Sequence, residues 1–335
     1  MSLELVVAAV MFTGVLSYAV LGGADFGSGF FDLTAGGDRE GAALRTRIDH
    51  SIGPVWEANH VWLIFVLVTW WSAFPRAFAA AMDTLILPLL LALLGIVLRG
   101  SAFAFRKYAA TLGQARFFGV VFAGSSLVTP FFLGATAGAI ASGRVPLDGR
   151  DGVWSSWLTP TSVIGGLVAV GTCIFLAGCF LVADARRGGE DELAETLRRR
   201  TLVVGLVTGL VVFAGLLPLR ADAPTLWDGL TGRALPLVLV AFVTGLATLG
   251  LLLVRRYALA RLTAVVAVAS VVSGWGVGQL PWLLVDEVTV ADAAGATATL
   301  QGLLVAFGLA AVLVLPPLVY LLRLTQTEQW SRPSH

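Results

Sequence analysis

Charge is scarce in this 335-residue sequence: Asp, Glu, Lys and Arg together make up 13% of it, against 57% hydrophobic residues. A water-soluble domain of that length needs a far larger polar surface, so a soluble enzyme or a soluble binding module is excluded. Histidine is scarcer still, with only His50, His60 and the terminal His335. A haem held inside a membrane bundle commonly uses histidines from two helices, and only His60 falls inside an apolar run, which argues against a haem bound by this chain alone. The two cysteines, Cys173 and Cys179, stand six residues apart in one apolar run. That spacing puts them on different sides of a helix, where they share neither a metal nor a disulfide and read as small apolar fillers. P-loop, dinucleotide fingerprint, hydrolase elbow and zinc spacing are all missing, so the chain is not expected to perform a hard reaction by itself. With a net charge of +1 and its basic residues dispersed between apolar runs, it offers no face for nucleic acid.

What the sequence has in abundance is apolar runs long enough to cross a bilayer, each needing roughly 20 residues. Nine can be marked, at about 3–23, 52–74, 78–99, 116–140, 160–183, 201–220, 233–254, 257–280 and 300–323. The fold class is therefore an all-α integral membrane protein. The expected layout is two four-helix bundles, over 1–140 and 160–280, with a ninth, peripheral helix at 300–323. No basic start or small-residue cleavage site accompanies residues 3–23, which read as a retained helix rather than a removed signal. Basic residues accumulate on the cytoplasmic side. Of the 22 here, all but Arg76, Arg144, Arg150, Arg220 and Arg233 fall in the odd-numbered loops and the C-terminal tail. The N-terminus is expected outside and the C-terminus in the cytoplasm. Loop 184–200, acidic first and basic last, reads as a helical extension.

Residues 52–64 set a carboxylate, a carboxamide and an imidazole into one turn of an apolar segment. An ionisable group at the centre of a span costs about 2.5–3.5 kcal/mol, so Glu57 and His60 are expected to face protein or internal water. The i, i+3, i+4 spacing of Trp56, Asn59 and His60, and the i, i+3 spacing of Glu57 and His60, make one polar patch in which the last two can touch. Asp25 ends the first run on the same side, before a loop at about 24–51 that is rich in glycine and acids. A cluster of Asp25, Glu57 and His60 is what a proton-entry path needs; an ion pair that merely ties helices is the alternative. Arg99 and Arg106 read as anchors at a helix end, and Asp83 as a cap or interhelical bond near the opposite face.

Four motifs occur in order. They are Asp25-Phe26-Gly27 after the first run, Pro54-Val55-Trp56-Glu57-Ala58-Asn59-His60-Val61-Trp62-Leu63, Phe74-Pro75, and Arg99-Gly100-Ser101-Ala102-Phe103-Ala104-Phe105-Arg106. In these the sequence resembles subunit II of the cytochrome bd-type quinol oxidases, most strongly over residues 15–106. The resemblance implies a haem-free subunit beside a larger subunit I that carries haem b and d-type haems, oxidises quinol and reduces oxygen to water. It implies a bacterial-type cytoplasmic membrane, and it leaves room for a small accessory subunit and for a structural quinone or lipid in grooves of this chain. It also implies that acidic residues of the first two spans border an inward proton path, with Glu57 at the aspartate position of a Trp-Asp-Gly-Asn run. Trp56, Asn59, Trp62, Arg99 and Arg106 then count as structural or interface residues, and no metal ligand is expected. The family's Asp-Gly-Phe-Asp turn reads Gly22-Gly23-Ala24-Asp25 here, so its first carboxylate is missing, and a Glu57–His60 relay is one way to replace it. A proton-coupled secondary transporter using Glu57, His60 and Asp83, and a purely structural anchor, are the alternatives.

Overall fold

The computed structural model describes residues 2–37, 41–52, 56–106, 108–149 and 152–324. Pro54 and Val55 of the second motif, the loop bases Arg39, Lys107, Arg150 and Arg332, and His335 lie outside the described residues. Helix α1 (Leu3–Ser17), a π-helical turn (Tyr18–Gly22) and α2 (Gly23–Leu33) follow one another without a break. They form a 31-residue rod, so the Gly-rich stretch expected as a loop is helix. Glycine inside a helix costs up to about 1 kcal/mol relative to alanine, and here close packing offsets that cost. A Cβ at Gly27 would overlap the Cys173 backbone, and one at Gly29 would overlap the Ser126 side chain.

Helix α3 (Ala42–Ile52) is short, and α4 (Trp56–Ala73) leaves it at 51°. Pro75 lacks a backbone N–H and disfavours helical geometry at Phe74, whose φ is −135°; α4 therefore stops and α5 (Pro75–Thr84) starts with the proline in its first turn. A further break at Leu85 separates α5 from α6 (Ile86–Arg106), so the third expected span is two helices. Thr111 accepts a hydrogen bond from the Gln114 amide, and Gln114 Oε1 accepts one from Ala110 N, a capping arrangement that starts α7 (Leu112–Ala141). Thr159 and Pro160 do the same for α8 (Pro160–Arg187), which Gly189, at φ 77°, separates from α9 (Asp191–Asp222). The remainder is α10 (Pro224–Thr231), α11 (Leu235–Leu253), α12 (Tyr257–Gly278), a hairpin of β1 (Trp282–Leu284) and β2 (Val288–Thr289), and α13 (Thr297–Leu324). Among the described residues eight helices are long and apolar enough to span a membrane, or nine when α3 and α4 count as one bent span.

Helices α2, α7 and α8 pack at the centre, with α6 on α7, α9 and α12 on α8, and α11 on α12. Helix α1 pairs with α4, and α13 touches only that pair among its stronger neighbours, its middle otherwise open. One core, with Phe31, Phe122, Leu176 and Leu197, lies around α2 and α8; a second, with Val7, Phe74, Leu85 and Leu284, lies toward the hairpin.

Candidate functional site

Between α2, α4, α6 and α7 lies a buried polar centre. Asp25 is 7% exposed and its carboxylate accepts a hydrogen bond from Asn59 Nδ2, which also reaches the Leu21 carbonyl at 3.4 Å. Ser28 donates to the Asp25 carbonyl at 2.5 Å. Opposite stands Arg99, 1% exposed, whose charge attracts that of Asp25. Its Nε donates to Ser126 Oγ at 3.1 Å, and Ser126 in turn donates to the Phe122 carbonyl at 2.6 Å. The guanidinium lies over the rings of Phe26 and Phe122, at 4.8 and 5.2 Å, while Nη2 has no hydrogen-bond partner among the described residues. Such stacking suits the weakly hydrated, planar arginine cation.

His60 borders this centre. Its Nδ1 is 3.3 Å from the Tyr18 hydroxyl, and its ring is boxed by Tyr18, Phe26 and Trp56 at centroid distances of 6.0, 6.0 and 6.2 Å. Trp56 continues the aromatic wall to Phe103, at 5.7 Å.

A second ionic level lies seven residues further along both α2 and α6, or about 10 Å at the helical rise. There Asp32, 4% exposed, accepts from Arg45 Nε of α3 at 3.1 Å and from Arg106 Nη1 at 2.5 Å. Arg45 also donates to the carbonyls of Gly36 and Gly37, and Arg47 pairs with Glu190, so α3 is pinned across the ends of α2, α6 and α8.

Of the residues singled out in the sequence, the fold brings Asp25, Asn59, His60, Trp56 and Arg99 together. Glu57 is not among them. It is exposed on the outer face of α4, in line with Val61, Ile64, Val68 and Trp71, and makes no hydrogen bond or ion pair with a described residue. The expected Glu57–His60 contact is absent because residues i and i+3 sit about 60° apart around a helix, enough to put one on each side of a packing boundary. Arg99 is no snorkelling anchor: α6 runs seven residues past it, so its charge is interior. Arg106 does end α6, as an ion-pair partner of Asp32. Trp62 is half-buried on α4. Asp83 lies at the other end of the molecule against Gly149, and the exposed His50 bonds only the Thr46 carbonyl of its own helix. Both cysteines are buried. Tyr18, Asp32 and Ser126 were missed. Asp32 follows Asp25 by seven and Tyr18 precedes it by seven, so a period of two helical turns carries the signal, which an expected loop at 24–51 conceals for Asp25 and Asp32.

A family model for cytochrome bd terminal oxidase subunit II matches residues 3–325 of the chain. The chain is 27% identical to cytochrome bd ubiquinol oxidase subunit 2 of Bacillus subtilis, over 71% of this chain and 69% of that one. It is 30% identical to cytochrome bd-I ubiquinol oxidase subunit 2 of Escherichia coli over 60% of this chain, spanning about half (52%) of that relative. The solved bd oxidase from Geobacillus thermodenitrificans contains a chain that superposes with a TM-score of 0.80 at 25% identity, covering 97% of this chain and 99% of the other. With four motifs in order, a helical membrane fold and a family match over residues 3–325, this chain belongs to the cytochrome bd terminal oxidase subunit II family.

Proposed function

We propose that this chain is the haem-free partner of a larger, haem-bearing subunit in a quinol:oxygen oxidoreductase, and that its buried polar centre carries protons inward from the cytoplasm. The observation that carries the proposal is the convergence of Asp25, Asn59, Arg99 and His60, from three helices, on one enclosed site. A structural anchor has little use for so many ionisable groups at membrane depth, where each is costly unless it works. With the N-terminus outside, as the loop charges indicate, Asp32, Arg45 and Arg106 form the cytoplasmic end of the same helix faces.

The residues of this chain do not fit a haem. His50 on α3 is exposed and bonds the Thr46 carbonyl, while the Nδ1 of His60 on α4 faces Tyr18 and three aromatic rings crowd its ring. Among the described residues no group of three His, Cys, Asp or Glu side chains is arranged around a metal. Family membership supports assigning the b- and d-type haems, quinol oxidation and oxygen reduction to the partner. Glu57 stands in the first turn of α4 at the head of an exposed apolar stripe, which supports a protein neighbour with a polar group at that face.

The test is purification of the complex with wild-type chain, Asp25→Asn or Glu57→Ala, with haem spectra and oxygen uptake recorded for each. Retained haem with slowed uptake is expected for both variants. Wild-type uptake in both would leave the chain a structural anchor.

A further inference from the structure

We propose that Tyr18 and His60 work as one hydrogen-bonded pair, with Tyr18 the positioning residue that holds the His60 ring on the proton path; the proposal rests on the path reading above. Gly22 has no side chain, and its place is taken: a Cβ built there would meet Cδ2 and Cε2 of the Tyr18 ring at 3.0 and 3.1 Å. Tyr18 thus packs over the Cβ-free face of Gly22. The π-helical turn makes this possible. The Gly23 amide bonds back to the Tyr18 carbonyl, a five-residue step that widens the helix at this point, and single π turns of this kind concentrate at functional sites.

The filling is polar rather than merely bulky. An aliphatic side chain would occupy the same volume, but the tyrosine hydroxyl lies 3.3 Å from His60 Nδ1. A ring nitrogen engaged in this way sets the orientation and tautomer of the imidazole, leaving the other nitrogen for proton exchange. The pair is also tied to the polar centre. Asn59, the neighbour of His60, holds the Asp25 carboxylate, and Phe26, the neighbour of Asp25, packs edge-on against both rings of the pair.

The experiment uses the purified complex carrying Tyr18→Phe, His60→Gln, both together, or Asp25→Asn, each checked for haem content and subunit ratio. Tyr18→Phe keeps the ring over Gly22 and removes only the hydroxyl. We expect each single variant of the pair to slow quinol oxidation several-fold, to move its pH profile and to raise its solvent deuterium isotope effect, with the double variant no slower than the slower single. A wild-type rate and pH profile in Tyr18→Phe, or effects of the two singles that multiply, overturns the pair. Should Tyr18→Phe fail to assemble, a wild-type pH profile in His60→Gln overturns it equally. If Asp25→Asn slows turnover while the pair variants do not, the pair alone falls; if Asp25→Asn is also normal, the path falls with it.

Discussion

Arg99 carries a charge where water does not reach, and the surrounding side chains account for it one by one. Ser126 takes one N–H, Phe26 and Phe122 take the faces of the guanidinium, and Asp25 supplies the opposite charge. A buried charge is costly unless hydrogen bonds and an opposite charge nearby compensate it, so removing either group leaves the other less well compensated. Arg99→Leu is therefore expected to lower the melting temperature of the purified complex sharply, and Arg99→Leu with Asp25→Leu to recover part of the loss, as read by differential scanning. The sequence made Asp25, Asn59 and His60 legible because ionisable and amide groups stand out against an apolar run. It hid the orientation of Glu57, since a helix phase error of one position moves a side chain across a packing boundary. Arg99 was hidden as well: a basic residue near the end of an apolar run looks the same whether the helix stops there or continues, and α6 continues to Arg106.

Among the elements, α2 is the one that local propensity describes least well. Its glycines favour a loop, yet they are the positions at which α2 meets α8 and α7 at backbone distance. Tertiary packing decides the outcome, and no local rule encodes it. Gly27→Val is expected to abolish accumulation of the complex in membranes, because its Cβ would fall on the Cys173 backbone. Gly119→Ala on α7, where a Cβ meets nothing within 4 Å, should leave accumulation unchanged in the same immunoblot. The clasp of Asp32 with Arg45 and Arg106 ties α3 to the end of α2 and α6. Asp32→Asn removes the charge from one side of it, and faster trypsin cleavage at Arg45 in inside-out vesicles is the expected result.

At the scale of the whole molecule, this is a multi-pass protein of the bacterial cytoplasmic membrane, with eight spanning helices among the described residues, or the nine that hydropathy indicates when α3 and α4 count as one, and with breaks inside them. Phe74-Pro75 marks the first break as a motif, and Pro88 marks the second: it has no N–H for the Thr84 carbonyl, which accepts from Ser156 instead, and α5 gives way to α6 at Leu85. The outer face of α4, headed by Glu57, and the loosely packed α13 leave apolar surface that the chain itself does not cover. Cysteines placed at Val61 and Trp71 are expected to cross-link to the larger subunit, while one at Leu246 on α11 is not; the two native cysteines are buried and give no background. The central claim, that Asp25 lies on a cytoplasmic proton-entry path, is tested most directly by proton uptake in vesicles. The complex is reconstituted with its cytoplasmic side facing a trapped pH dye, and uptake during oxygen reduction is timed for wild type and Asp25→Asn. Uptake slowed in step with turnover, with haem content unchanged, is the predicted result; uptake at the wild-type rate in Asp25→Asn would contradict it.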